Sequence, residues 1–207
     1  MTYGQLDELS AALGAWLQAQ GLEPGARVAI MLPNIPQFAV TMAAILRAGY
    51  TCVNVNPLYT ARELEHQLKD SGATTIVILE NFAKTLEEVI EETPVKHVVV
   101  ASMGDLLGFW YGMWITFAVR HLAKMVPSYR LPLSEGRKVT SFNRAIAEGT
   151  SLTLASTPQN LESIAFLQYT GGTTGLSKGA VLTHGNIVAA ILQAEAWFTP
   201  ALKRIGD

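Results

Sequence analysis

Short apolar runs alternate with helix-like stretches along roughly the first hundred residues of the chain. The apolar runs lie at 27–32, 51–55, 74–79 and 97–101. Helix-like stretches lie before and between them, at 6–17, 37–48, 61–69 and 82–90, the first with leucines at helical spacing. Continuous apolar strands without polar alternation are typical of parallel sheets buried on both faces. The pattern therefore predicts an α/β fold, a mostly parallel sheet covered by helices on both faces.

Polar residues follow two of these strands. The first strand leads into 31–34, and the second into 54–59, which reads Asn-Val-Asn-Pro-Leu-Tyr. Open parallel sheets bind ligands beyond the carboxyl ends of their strands, so both stretches are candidates for ligand contact. The second also has a structural interpretation, because Asn56 and Pro57 favour a turn and Tyr59 can pack its ring while its hydroxyl stays in water.

A stretch rich in glycine and hydroxyl groups, 169–179, carries the clearest chemical signal. It reads Tyr-Thr-Gly-Gly-Thr-Thr-Gly-Leu-Ser-Lys-Gly. Glycines allow backbone N–H groups to turn inward as an anion-binding nest, and Ser and Thr hydroxyls add further donors. Lys178 adds a mobile positive charge suited to a polyphosphate. A flexible surface loop is the alternative interpretation of this composition.

The order of residues in this loop differs from the Walker A phosphate-binding loop. Walker A needs Gly before Lys and Ser or Thr after it, at the start of a helix. Here Ser177 precedes Lys178 and Gly179 follows it. Both flanks, 164–169 and 179–183, resemble strands, so we expect a long hairpin connection near the C-terminal end of the sequence.

A helix is predicted after the hairpin. It runs to Trp197, with Thr183 or Asn186 as its N-cap. His184 lies at its start, either as a polar residue of the helix terminus or as a group near the ligand.

The segment 106–119 contains no charged residue and is rich in aromatic side chains, namely Phe109, Trp110, Tyr111, Trp114 and Phe117. Three interpretations are open: a helix buried in the protein or against a missing part of it, a helix in the membrane interface, and a membrane span. A span needs about 20 apolar residues, more than this run supplies. In the interfacial interpretation, cations following the run face anionic lipid; these are Arg120, Lys124, Arg130, Arg137 and Lys138.

Composition narrows the classes of partner and cofactor. The chain of 207 residues is 49% apolar and 15% charged, with a formal net charge of −2, so we expect no nucleic-acid partner. The one cysteine, Cys52, fits a reducing compartment and a buried structural role. The four histidines lack metal-ligand spacing, and the start of the chain lacks a signal peptide. We therefore assign no metal ligand and expect a cytoplasmic protein.

Several stretches resemble one enzyme superfamily. The order Tyr-Thr-Gly-Gly-Thr-Thr-Gly-x-x-Lys-Gly at 169–179 is similar to the signature of the adenylate-forming, AMP-binding acyl-CoA synthetases and ligases. The stretches 53–60, 62–68 and 182–184 resemble the bacterial long-chain fatty acid CoA ligases in particular. Ala61 departs from that pattern, where a proline is usual, in the first turn of a helix where the change matters little. The resemblance covers essentially the whole chain and implies the first sheet subdomain of the synthetase N-terminal domain.

The resemblance implies a ligase that activates a long-chain fatty acid with ATP and Mg²⁺, releases pyrophosphate and transfers the acyl group to CoA. In the family this loop holds the β- and γ-phosphates of ATP. The implied phosphate-binding residues are Thr170, Gly171, Gly172, Thr173, Thr174, Gly175 and Lys178.

The resemblance implies that the catalytic groups lie downstream of Asp207, the last residue of the sequence. In the family the Mg²⁺-binding Glu, the catalytic Lys and the fatty-acid tunnel all follow the part that this chain matches. We therefore assign no catalytic residue here and expect an N-terminal fragment that is inactive alone.

We expect three parts along the chain. Residues 1–102 form an α/β subdomain, 103–162 a hydrophobic and basic insertion with a linker, and 163–207 the phosphate-binding hairpin with its helix. Within the second part, 139–148 predicts a short helix. The implied partners are the fatty acid, ATP, CoA and the remainder of the ligase chain, and 106–124 adds the inner face of the membrane. The alternative function is a phosphate-binding or membrane-associating module without ligase activity.

Overall fold

The computed structural model describes residues 1–132, 136–170 and 177–205, with side chains up to residue 199. The strands are β1 Arg27–Met31, β2 Thr51–Asn54, β3 Thr75–Leu79, β4 His97–Ala101, β5 Lys138–Ser141, β6 Ile164–Thr170 and β7 Lys178–Thr183. Within these residues they form one sheet, in the order β5-β4-β3-β1-β2-β6-β7. Every neighbouring pair is parallel except β6 with β7. The predicted, mostly parallel sheet is confirmed.

Helices cover both faces of the sheet, as predicted. They are α1 Tyr3–Ala19, α2 Pro36–Arg47, α3 Ala61–Ser71, α4 Ala83–Glu87, α5 Phe109–Phe117, which continues into a π-helical turn Ala118–Leu122, α6 Phe142–Thr150 and α7 His184–Ile205. Residues of α1, α2 and α6 share one apolar core, and residues of α3 and α4 share the other. Because successive strand residues point to opposite faces, Val28 and Ile30 enter the first core while Ala29 and Met31 enter the second. Burial on both sides explains why this strand shows no polar alternation in the sequence.

The sequence predicted a helix over 139–148, and the predicted start of this helix is wrong. Residues Lys138–Ser141 form β5, which pairs in parallel with β4, and α6 begins only at Phe142. Polar and β-branched residues suit an edge strand with half-buried faces, which local helical spacing does not reveal. The sheet thus contains strands from each of the three expected parts of the chain, and the three-part division stays a prediction.

Helix α7 follows β7 directly and begins with a capping box. The backbone N–H of Asn186 donates to Thr183 Oγ1 at 3.3 Å, and the N–H of Thr183 donates to Asn186 Oδ1 at 2.9 Å. Thr183 is therefore the N-cap, one of the two expected candidates. His184 donates its backbone N–H to the carbonyl oxygen of Ser163 at 2.9 Å, which ties the helix start to the beginning of β6.

Candidate functional site

The hairpin formed by β6 and β7 opens at the carboxyl edge of the parallel sheet. β6 runs parallel to β2, with Asn54 opposite Gln168, so both strands end at the same edge. Thr170 and Lys178 form the last cross-strand pair before the loop, and both residues are exposed. The predicted hairpin is confirmed, and it lies at the edge where open α/β sheets bind ligands.

The structure describes two of the predicted phosphate-binding residues, Thr170 and Lys178. The others lie outside the described residues; they are Gly171, Gly172, Thr173, Thr174 and Gly175. The phosphate-binding role of all of these residues stays a prediction. What the structure adds is the placement of the two strand ends between which they lie.

The catalytic groups are expected downstream of Asp207, the last residue of the sequence. Asp207, downstream of which the resemblance implies them, lies outside the described residues. The structure therefore adds nothing on that point, and the expected position of the catalytic groups stays a prediction.

A row of polar side chains ties β6 to its neighbours just before the hairpin. Asn54 Nδ2 on β2 donates to Gln168 Oε1 on β6 at 2.8 Å. Gln67 on α3 is fully buried and donates through Nε2 to the carbonyl oxygen of Asn54 at 2.7 Å. Buried polar groups that are paired in this way fix the relative position of the elements that carry them. Helix α3, β2 and β6 are therefore linked at the carboxyl edge.

Helix α3 also contacts both ends of the loop. Tyr169 Oη donates to Asp70 Oδ2 at 2.5 Å, and His66 Nε2 lies 3.2 Å from the carbonyl oxygen of Ser177. Burial, and then the hydrogen bond to Asp70, raise the pKa of Tyr169 well above its usual range, so the phenol stays neutral and donates. Neither contact is predictable from the sequence, because the contacts join residues 99 and 111 positions apart and carry no local signal.

The stretch 54–59 forms a turn that leads into α3. Asn56 Oδ1 accepts the backbone N–H of Leu58 at 3.0 Å, and the carbonyl oxygen of Asn56 accepts the N–H of Tyr59 at 3.1 Å. This is the Asx-type turn that Asn favours. The structural interpretation of this stretch is confirmed; direct ligand contact remains a prediction.

The aromatic segment, 106–124, follows β4 in the chain. Its helix, α5, packs closely on the turn that links β4 to the segment. A Cβ atom at Gly112 in α5 would overlap the carbonyl oxygen of Gly104, so only a residue without a side chain fits the crossing. Leu106 and Lys124, which bound the segment, both have left-handed backbone, with φ of 67° and 51°. Helix α5 is thus held by close backbone contact against the turn that follows β4.

The aromatic side chains of α5 face away from the rest of the described chain. Phe109, Trp110 and Trp114 are 75%, 76% and 59% exposed, and Tyr111 and Phe117 are also exposed. The interpretation in which these rings are buried within the described part of the chain is therefore wrong. Two interpretations stay open: these rings are covered by another part of the protein, or they lie in the membrane interface. No helix in the described ranges is sufficiently long and apolar to cross a membrane.

Two of the five cations expected to face lipid are held by carboxylates instead. Arg120 pairs with the buried Glu80, with Nη2 2.5 Å from Oε2. The side chain of Arg137 is 8% exposed and pairs with Glu91 at 2.8 Å. The other three, Lys124, Arg130 and Lys138, are exposed, and the backbone N–H of Arg130 donates to Glu87 Oε2 at 2.7 Å.

Cys52 and the acidic and histidine side chains supply no further site in the described ranges. Cys52 is fully buried, as predicted, and burial raises the pKa of its thiol to about 12. Among the residues that the structure describes, no three His, Cys, Asp or Glu side chains converge as metal ligands. The hairpin at the carboxyl edge is therefore the main candidate site.

Comparison with known proteins identifies the class. A profile of the AMP-binding enzyme family matches residues 1–205, so the chain belongs to that family. A long-chain-fatty-acid–CoA ligase of Salmonella typhimurium is 48% identical over 98% of this chain, and one of Haemophilus influenzae is 47% identical over 100% of it. The chain spans only 35% and 36% of the length of these two relatives.

Solved structures share the fold. A long-chain-fatty-acid-CoA ligase from Archaeoglobus fulgidus matches 94% of this chain and 32% of its own, with a TM-score of 0.69 and 28% identity. The adenylation domain of a carboxylate reductase from Mycobacterium chelonae matches 89% of this chain and 28% of its own, with a TM-score of 0.71 and 20% identity. The second likeness, at that identity, concerns the fold alone. In both, the part that matches this chain's sheet belongs to a longer chain.

Proposed function

We propose that this chain is the part of a long-chain fatty acid–CoA ligase that binds the β- and γ-phosphates of ATP. The observation that carries the proposal is the pair Thr170 and Lys178, which closes the signature loop at the carboxyl edge of the sheet. The loop residues between them would supply N–H and hydroxyl donors, and Lys178 a positive charge. The family and the named ligase relatives support the substrate class.

The proposed reaction has two steps. The fatty acid carboxylate attacks the α-phosphorus of ATP, an acyl-adenylate forms, and pyrophosphate leaves. The thiolate of CoA then attacks the acyl carbonyl, forms the thioester and releases AMP. Because a carboxylate and a polyphosphate repel each other, catalysis depends mainly on positioning and charge neutralisation. Thr170, as a hydroxyl donor, and Lys178, as a positive charge, fit the holding of the leaving pyrophosphate. The alternative is a phosphate-binding or membrane-associating module without ligase activity.

Mg²⁺ belongs to the proposed reaction, but the described residues do not form its site. No three carboxylate, histidine or cysteine side chains converge in the described ranges, and Mg²⁺ prefers carboxylate oxygens together with substrate phosphates. We therefore assign no Mg²⁺ ligand to these residues and derive no step through the ion.

Calorimetric titration of the chain with ATP and with pyrophosphate tests the proposed phosphate binding. The matched variants are Lys178→Ala and Lys96→Ala, because Lys96 is an exposed cation just before β4, at the opposite, amino edge of the sheet. We expect Lys178→Ala to weaken binding about tenfold, since a charge-assisted contact is lost, and Lys96→Ala to leave it unchanged. Equal effects of the two substitutions, or no binding by the unmodified chain, would contradict the proposal.

We further propose that α5 docks in the interface of a membrane, from the cytoplasmic side. The observation in favour is the exposure of its aromatic side chains, with the exposed cation Lys124 shortly after them. Aromatic rings favour the headgroup level, and cations there favour anionic lipid. The competing occupant of the same face is the remainder of the ligase chain.

Sedimentation with vesicles of phosphatidylglycerol and phosphatidylcholine tests the docking. Replacement of both Trp110 and Trp114 by serine should lower the bound fraction at least about fivefold, because two apolar anchors are removed. Trp197→Ser is the control, since Trp197 is 81% exposed but lies on α7. Unchanged lipid binding after removal of 106–124 would exclude the membrane role and leave cover by another part of the ligase.

A further inference from the structure

Helix α3 holds the hairpin from one side at two points. Asp70 Oδ2 accepts a hydrogen bond from Tyr169, the last buried residue before the loop, and His66 Nε2 contacts the carbonyl oxygen of Ser177 after it. Asp70 and His66 are four residues apart and therefore lie one turn apart on one face of the helix. We propose that Asp70 and His66 are positioning residues that hold both ends of the phosphate-binding hairpin and thereby raise its affinity for polyphosphate. The inference rests on the proposed function.

Helix α3 is rigid enough to act as such a support. Thr60 caps its start, with a reciprocal pair of hydrogen bonds to Glu63, and Gly72 ends it in the left-handed conformation at φ 64°. Leu64 and Leu68 are fully buried in the second core. Two or more turns of buried contacts fix the helix against the sheet, so side chains on its exposed face have a defined position.

The Tyr169 contact is closely packed as well as hydrogen-bonded. Its ring lies against Gly179 on β7, where a Cβ atom would be 3.0 Å from Cε2 and Cζ. The residue is 8% exposed, so a phenol without a partner here would carry a desolvation cost. Asp70 removes that cost and at the same time fixes the ring against Gly179 of β7.

The other contact defines the second end of the loop. Since a carbonyl oxygen only accepts, His66 must carry its proton on Nε2 to donate to Ser177. Ser177 directly precedes Lys178, whose side chain is the proposed phosphate contact. A hold on the Ser177 carbonyl therefore restricts the backbone from which Lys178 projects.

Asp70 has two effects on polyphosphate binding, and they have opposite signs. As a negative charge near the loop it repels an anion, so its removal by charge alone would strengthen binding. As the acceptor for Tyr169 it orders the hairpin, so its removal weakens binding through lost preorganisation. A comparison of Asp70→Ala with Asp70→Asn separates the two effects, because both remove the charge and only Asn keeps an acceptor.

The test is calorimetric titration with inorganic pyrophosphate. We expect Asp70→Ala to bind about tenfold more weakly than the unmodified chain, and Asp70→Asn to bind at least as tightly. Tyr169→Phe combined with Asp70→Ala should be no weaker than Asp70→Ala alone, since both remove one interaction. Glu65→Gln controls for loss of a negative charge on the same helix. Asp70→Ala binding as tightly as Asp70→Asn would overturn the inference.

Hydrogen exchange provides a second measurement that needs no ligand. Amides of β6 and β7 should exchange at least about threefold faster in Asp70→Ala and in His66→Ala than in the unmodified chain, and no faster in Glu65→Gln. Unchanged exchange in both variants would show that α3 does not hold the hairpin. If the unmodified chain bound no pyrophosphate, the proposed function would fail and the inference on affinity with it, while the exchange rates would still decide the contact of α3 with the hairpin.

Discussion

Glu80 has no exposed surface, and its Oε2 accepts from Arg120 through both Nε at 2.7 Å and Nη2 at 2.5 Å. Glu80 begins a short 3₁₀ turn directly after β3, and Arg120 lies in the π-helical turn after α5. The ion pair therefore ties the aromatic helix to the carboxyl edge of the sheet. It also explains why one of the five cations expected to face lipid is unavailable to it.

Arg120→Ala should lower the free energy of unfolding by about 2 to 3 kcal/mol, because it leaves a buried carboxylate without its partner. The Arg120 side chain is 46% exposed, so the loss falls below that of a fully buried pair. Urea unfolding at neutral pH measures the change. Arg144→Ala is the control, since its pair with Glu148 is exposed and should cost less than about 1 kcal/mol. Equal losses would contradict the structural role of the pair.

Gly149→Ala should destabilise the chain by about 1 to 3 kcal/mol, because α6 packs on α1 at this residue without room for a side chain. A Cβ atom at Gly149 would overlap the carbonyl oxygen of Ala12. Gly4→Ala is the matched control, since the nearest atom to its Cβ would be 3.9 Å away. A shift of the thermal midpoint downward for Gly149→Ala only would support the packing; no shift for either would refute it.

The carboxyl group of Asp105 should make the protein less stable as pH rises from about 4 to about 6. The pKa of Asp105 is raised from 3.8 to about 6, mainly by burial and also by the charge of Glu80, against the lowering effects of Ser102, Arg120 and Asn143. Because the folded pKa is the higher one, the folded chain binds more protons than the unfolded chain in this window. The free energy of unfolding therefore falls with rising pH, by roughly 2 kcal/mol from this group.

Denaturant unfolding at several pH values measures this contribution as the difference between the chain and Asp105→Asn. The difference should shift in favour of the variant as pH rises through the window and stay constant above it. Glu162→Gln, which alters an exposed carboxylate, provides the control. A difference that does not change with pH would show that Asp105 titrates alike in the folded and unfolded states.

Cys52 should resist alkylation until the protein unfolds. The thiol is fully buried, and its pKa of about 12 leaves little thiolate at neutral or mildly alkaline pH. Iodoacetamide labelling followed by mass spectrometry should show modification in denaturant and almost none before it. Because the chain has one cysteine, the labelled fraction reports on this site alone, and rapid labelling of the folded protein would contradict its burial.

Much of the fold was predictable because its signals are local. Continuous apolar runs predicted the four strands from β1 to β4, and the flanks of the glycine-rich loop predicted the hairpin of β6 and β7. Strand β5 was not predictable in this way. Lys138–Ser141 becomes a strand because β4 offers it an edge, and that opportunity exists only after the chain has folded.

The candidate site divides along the same line. The order of residues at 169–179 by itself determined the family and the phosphate chemistry to expect, because the glycine, hydroxyl and lysine residues that define this signature are adjacent in the sequence. Only the tertiary structure decided which helix supports the loop, that Tyr169 meets Asp70, and that the aromatic rings of α5 are exposed. Periodicity shows that a face is apolar or polar but not what covers it, because partners far apart in sequence are chosen by the packing of whole elements.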